Sequence, residues 1–104
     1  MTPEEILDSA AGIIRRDGWH QGETDDGDPE SGAVCLMGAI GRAATGDSRS
    51  EEVTIWRDGV IAEANRAVQR VIDVIGRTDV GVWNDDQGRS VEDVLLVLKQ
   101  AAES

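Results

Sequence analysis

The sequence predicts an all-α domain, or a mainly α domain with a short β-hairpin, in which about four helices form a compact bundle. Apolar residues recur at helical spacing, and helix N-cap residues stand before the first and last of these segments. The predicted helices span roughly residues 3–16, 34–44, 51–76 and 91–101. No linker or internal repeat divides the 104 residues, so we expect a single globular domain over residues 1–104.

The composition predicts an aliphatic core. Apolar residues make up 39% of the chain, and the three aromatic residues are all tryptophan. A domain of this size buries roughly two-thirds of the surface that its unfolded chain exposes, so one core can form without covalent cross-links. The single cysteine excludes an internal disulfide and indicates a reducing, cytoplasmic setting. The acidic N-terminus does not resemble a signal peptide, and no apolar run is long enough to span a membrane.

The formal net charge of −11 argues against direct binding to nucleic acid, because such a protein repels phosphate backbones. Two interpretations of the acidity remain open. In the first interpretation, the charge has no other role than to keep the surface solvated. Alternatively, the protein mimics nucleic acid and blocks a basic site on another protein.

The first helix, residues 3–16, has a complete set of N-terminal signals. Thr2 is placed to cap it, Pro3 occupies the first helical position, and Glu5 completes a capping box with Thr2. Gly18 follows as a C-terminal stop.

The segment after this helix has loop composition and a cluster of negative charge. Its acidic residues are candidates for an interaction surface: Glu23, Asp25, Asp26, Asp28 and Glu30. The pair Asp26-Gly27 is typical of a hairpin turn, which would place residues 19–21 beside residues 33–34. Calcium binding is the alternative, but the spacing differs from an EF-hand loop and Pro29 interrupts it.

The two middle helices differ in character. Residues 34–44 are apolar on nearly every side, so this helix should lie centrally. Residues 51–76 carry one apolar stripe opposite a charged face and form the longest predicted element. Gly59 is the position at which this helix would divide into two segments.

The last helix, residues 91–101, is preceded by a long series of turn and capping signals. Asn84 and Asp85 are expected in an Asx turn, Gly88 at a positive φ, and Ser90 at the N-cap with Asp93 as its capping-box partner.

Leu96 is the anomaly of this helix, because it falls on the polar side of the helical wheel. A lone exposed leucine is common and needs no explanation. The alternatives are a surface for a partner protein and a homodimer contact through the helix.

Cys35 is the obvious candidate nucleophile, with His20 as the base and Asn84 as the group that orients it. Against this, Cys35 is predicted inside an apolar helix, where nothing nearby in sequence would stabilise a thiolate. A buried structural cysteine is the preferred interpretation. One histidine and one cysteine cannot supply a four-ligand zinc site without carboxylates. The sequence therefore predicts no catalytic residue, no cofactor and no metal site.

Three motifs together resemble an uncharacterised domain family of actinobacteria and their phages. They are Gly-Trp-x-Gln-Gly at residues 18–22, Cys-x-x-Gly-Ala at 35–39, and Trp-Asn-Asp at 83–85 followed by Gly-Arg-Ser at 88–90. The resemblance covers about residues 10–102 and departs at 45–60. It implies a bacterial or phage setting but no activity, because the family has no assigned function.

We expect a small, acidic, non-enzymatic accessory protein that acts by protein–protein interaction and, where a phage encodes it, modulates a host protein. The first alternative is a small enzyme or ligand-binding domain with a pocket near Trp19, Cys35 and Trp83. The second is the acidic mimic of nucleic acid. No association with membranes is expected.

Overall fold

A computed structural model describes residues 2–22, 27, 32–46, 59–77 and 79–104, with the backbone alone at 59–61. These residues form five helices: α1 (Pro3–Asp17), α2 (Leu36–Thr45), α3 (Gly59–Ile75), α4 (Val80–Asp85) and α5 (Val91–Glu103). The predicted all-α class is confirmed. The predicted start of the third helix, residues 51–58, lies outside the described residues.

Helices α1 and α5 begin with the capping boxes that the sequence predicted. The Thr2 hydroxyl accepts from the Glu5 amide at 3.2 Å, and the Glu5 carboxylate accepts from the Thr2 amide at 2.8 Å. Ser90 and Asp93 make the same reciprocal pair at the start of α5. Each box satisfies two amides that a helix start would otherwise leave unpaired, which stabilises the helix by about 1 kcal/mol.

The core is aliphatic, and α1 lies at its centre. Helix α1 packs against α2, α3 and α5, while α4 contacts α2 and α3. The largest side chains that are almost completely buried are aliphatic, with one exception, Asn84: Ile6, Leu7, Ile14, Leu36, Ile40, Leu98, Val34, Val71, Val94 and Asn84. Val80 and Trp83 of α4 join the same core, so every described helix contributes apolar side chains to it, and Asn84 is placed among them.

One predicted boundary and one predicted turn were wrong. Helix α2 begins at Leu36 rather than at residue 34, because Cys35 is its N-cap and the Cys35 sulfur accepts from the Gly38 amide at 3.3 Å. The Asx turn expected at Asn84 and Asp85 is instead the end of the short helix α4, which the sequence analysis did not predict. This helix is capped by Asp79, whose carboxylate accepts from the Val82 amide at 3.0 Å.

The predicted hairpin was also wrong in its direction. Trp19 and Val34 do pair, but as an isolated parallel bridge. The His20 amide donates to the Val34 carbonyl at 2.8 Å, and the Val34 amide donates to the Gly18 carbonyl at 3.0 Å. A two-residue hairpin turn joins antiparallel strands, so this pairing cannot be its stem. The proposed turn at Asp26 lies outside the described residues.

Gly18 is the C-cap of α1, and we expect its substitution to cost more stability than substitution of the glycine within the helix. Its φ of 101° and ψ of 164° are accessible essentially to glycine alone, and a Cβ there would lie 3.3 Å from the Cβ of Ala33. We expect Gly18→Ala to lower the free energy of unfolding by about 1–3 kcal/mol, measured by urea denaturation. Gly12→Ala is the matched control: its Cβ would meet nothing within 4 Å, and it should raise stability by about 0.5–1 kcal/mol. Equal effects at both positions would contradict the assignment.

Candidate functional site

The motif residues meet around the side chain of Asn84, which is fully buried on α4. Its carbonyl oxygen accepts from the Trp19 indole N–H at 2.7 Å and from the Leu36 amide at 3.0 Å. Its amide nitrogen donates to the His20 carbonyl at 3.1 Å and to the Asp85 carboxylate at 3.0 Å. The N–H groups of Trp19 and Leu36 can bond only to the oxygen of the Asn84 amide, and the oxygens of His20 and Asp85 can bond only to its nitrogen. The orientation of the amide is therefore fixed.

A second set of contacts joins residues 21–22 to the end of α4. The Gln21 side-chain amide donates to the carbonyls of Asn84 at 3.0 Å and Asp86 at 3.1 Å. The Gly22 amide donates to the Asp85 carboxylate at 2.8 Å. Together with the four bonds of Asn84, these contacts form what we call the Asn84 network. It links the segment after α1, the start of α2 and the end of α4.

Arg89 holds Trp83 in place next to this network. Its guanidinium carbon lies 3.9 Å from the centroid of the Trp83 ring, and its Nε donates to the Trp83 carbonyl at 3.0 Å. Asp86 accepts from Arg89 at 3.0 Å and from Arg77 at 3.1 Å. The arginine of the Gly-Arg-Ser motif therefore stacks on the tryptophan of the Trp-Asn-Asp motif.

The Asn84 network engages the amide that a catalytic triad would need to orient its histidine. Both hydrogens and both lone pairs of the Asn84 amide are engaged, and its bond to His20 goes to the backbone carbonyl, not to the imidazole. Cys35 is buried, yet it lies at the positive end of the α2 dipole rather than inside the helix.

A buried ion pair joins the end of α1 to α2, and no local pattern in the sequence indicates it. The Arg42 side chain is only 2% exposed, and its Nη1 donates to the Asp17 carboxylate at 2.9 Å and to the Gly32 carbonyl at 2.7 Å. Asp17 also accepts from Arg16 at 2.7 and 2.8 Å. The hydrogen bonds from Arg16, and then from Arg42, hold the pKa of Asp17 below its usual range.

An open groove of about 520 Å³ runs beside this ion pair between α1 and α2. Its wall is formed by Ser9, Gly12, Ile13, Arg16, Arg42, Ala43 and Gly46. Both arginines in the wall donate to the single carboxylate of Asp17, which balances one of their two positive charges.

The predicted interaction residues fall into two groups. Leu96 is 53% exposed on α5, as the helical wheel predicted. Val82 on α4, which is not one of the predicted residues, is 55% exposed. The five acidic candidates, Glu23, Asp25, Asp26, Asp28 and Glu30, lie outside the described residues. Within the described part of the chain, no three histidine, cysteine or carboxylate side chains are grouped so as to hold a metal ion. None of its helices is both long and apolar enough to span a bilayer.

The fold and the network define a small all-α domain whose motif residues join its segments. The chain belongs to the family of unknown function DUF6197, whose model matches residues 1–104. No curated protein and no solved structure shows significant similarity to it. The expected membership of an uncharacterised domain family is confirmed at this level, while the actinobacterial or phage origin stays a prediction.

Proposed function

We propose that this protein is a non-enzymatic accessory domain that binds another protein through the exposed side of α5. The observation that carries the proposal is Leu96, a large apolar side chain that is 53% exposed on a helix whose other side is buried. The neighbouring exposed residues on α5 are polar or charged. Together with Leu96 they form what we call the α5 outer face: Glu92, Leu96, Lys99, Gln100 and Glu103. An apolar centre with a charged rim is the arrangement that protein interfaces use.

The contacts around the motifs support a binding role over a catalytic one. The side chains of Asn84 and Gln21 are bonded to neighbouring segments, and the Trp83 ring is covered by Arg89. A ligand pocket near Trp19, Cys35 and Trp83 would have to displace these contacts. Binding of a protein to the exposed side of α5 would not displace any of these contacts.

The charge of the chain specifies the chemistry of the partner. A protein with a net charge of −11 is attracted to a basic surface, and long-range attraction speeds the encounter. We therefore propose a partner with an apolar cleft for Leu96 and basic residues around it. The single cysteine supports a cytoplasmic location. In a phage-encoded copy the partner would be a protein of the host.

The test is retention of a partner from a lysate of the source cell, or of the host for a phage protein, on immobilised domain. We expect a stoichiometric partner that Leu96→Ala loses and Val82→Ala retains, because Val82 is equally exposed but lies on α4. Truncating an interface anchor typically weakens binding by about 10-fold or more. Equal retention by both variants, or no retained protein, would contradict the proposal. A partner lost only at high salt, and not on Leu96→Ala, would favour the mimic of nucleic acid.

A further inference from the structure

The α5 outer face carries charges of opposite sign on the two sides of Leu96. Glu92 lies four residues before Leu96, and Lys99 lies three residues after it, so opposite charges flank one exposed leucine. We propose that, when no other partner is bound, a second copy of this chain covers this face by antiparallel α5–α5 pairing. This inference rests on the proposed function, since it concerns the same face and regulates access to it.

The spacing of the charges fits a two-fold axis. In a symmetric dimer, if residue i of one copy meets residue j of the other, then j also meets i. An axis crossing α5 between residues 95 and 96 leaves Glu92 and Lys99 each about 5 Å from it along the helix, at 1.5 Å per residue. Antiparallel pairing then brings Glu92 of each copy to Lys99 of the other, with the two Leu96 side chains packed between the two ion pairs.

The charges on this face are not used within the described structure. Six arginines of the described residues form ion pairs: Arg16, Arg42, Arg66, Arg70, Arg77 and Arg89. In the same part of the chain Lys99, the only lysine of the sequence, makes no such pair, and neither does Glu92. Both are therefore available to a second copy.

The dimer should be weak, and salt should strengthen it. One helix pair is a small contact, below the ~1,200 Å² that the smallest stable interfaces bury, so we expect a dissociation constant weaker than about 1 µM. Two copies of net charge −11 repel each other over long distances, and salt screens this repulsion more than it screens the close pairs. A weak dimer hides Leu96 yet yields to a partner that binds the same face more tightly.

Sedimentation equilibrium on the full chain, at protein concentrations up to about 1 mM, measures the fraction of dimer. The pairing is tested by variants that reverse one charge and by a mixture that restores opposite charges. We expect wild type to dimerise and Glu92→Lys and Lys99→Glu each to be monomeric, because each variant places like charges opposite each other. An equimolar mixture of the two variants should dimerise again, because positions 92 and 99 then carry opposite charges wherever the two variants face each other. Leu96→Ala should weaken the dimer by about 10-fold or more.

Asp8→Lys and Arg15→Glu are the charge-matched controls, because both side chains are exposed on α1 and lie outside the α5 outer face. Each carries the same net charge as one of the test variants, and each should dimerise like wild type. A monomeric wild type, failure of the mixture to dimerise, or equal loss in the controls would overturn the inference. A monomer that still retains a partner through Leu96 would overturn the inference alone, whereas a dimer that retains no partner would overturn the proposed function alone.

Discussion

Asn84→Ala is expected to destabilise the domain by about 3 kcal/mol or more. The substitution leaves the Trp19 indole N–H and the Leu36 amide without their acceptor, and an unpaired buried polar group costs roughly 1–3 kcal/mol. It also removes the donor to the His20 carbonyl. Since the free energy of unfolding of small domains is about 5–15 kcal/mol, the loss is a large fraction of the total stability. Urea denaturation followed by circular dichroism measures it.

Two further variants make this result specific. Asn65 is exposed on α3, so Asn65→Ala should change the free energy of unfolding by less than about 0.5 kcal/mol. Asn84→Asp keeps the acceptor for Trp19 but turns its second oxygen toward the His20 carbonyl and the Asp85 carboxylate. It should therefore be destabilising at neutral pH and partly recover in acid, where protonation restores a donor. A stable Asn84→Ala variant would remove the structural role assigned to the network.

Arg42→Met is expected to cost about 1–3 kcal/mol, because it removes one of the two arginines that pair with the Asp17 carboxylate, while the pair with Arg16 remains. The Gly32 carbonyl loses a donor at the same time. The matched control is Arg66→Met, which breaks the surface pair with Glu63 and should cost less than about 1 kcal/mol. Urea denaturation of both variants under one set of conditions provides the comparison. Equal losses would show that the burial of Arg42 does not matter.

The acid side of the stability curve gives an independent measure of the same pair. The pKa of Asp17 is held below its ordinary value of 3.8 when the chain is folded. The resulting stabilisation is therefore present above pH 3.8 and is lost as the pH falls through the lower pKa of the folded state. Arg42→Met should weaken this acid dependence, since it removes part of what lowers the pKa. An unchanged slope below pH 3.8 would argue against the pairing.

The starts of α1 and α5 could be predicted from sequence because their bonds are local. Thr2 and Glu5, like Ser90 and Asp93, are three residues apart, and their reciprocal bonds lie entirely within the first turn of a helix. The short helix α4 was missed because its six residues are too few for a helical period to be visible. Asn84 was assigned to a turn on its local preference. Tertiary contacts override that preference.

The candidate site could be predicted only in its parts. The motifs around Trp19, Cys35 and Trp83 were identified, but their mutual contact depends on bonds between positions 65 residues apart, such as Trp19 to Asn84. Arg42 was missed for the same reason, because its partner Asp17 is 25 residues away. By contrast, the exposure of Leu96 follows from the helical wheel alone, and there the prediction was confirmed.

Helix α1 is the first of the five helices to leave the ribosome. Helix α5, which packs against α1, is the last. Translation at ~5–20 residues per second leaves the apolar side of α1 without that cover for several seconds. The nascent chain must remain soluble during that interval. The acidic residues at the start of α1, Glu4 and Glu5, lie beside this apolar surface in the sequence and would help to keep it hydrated.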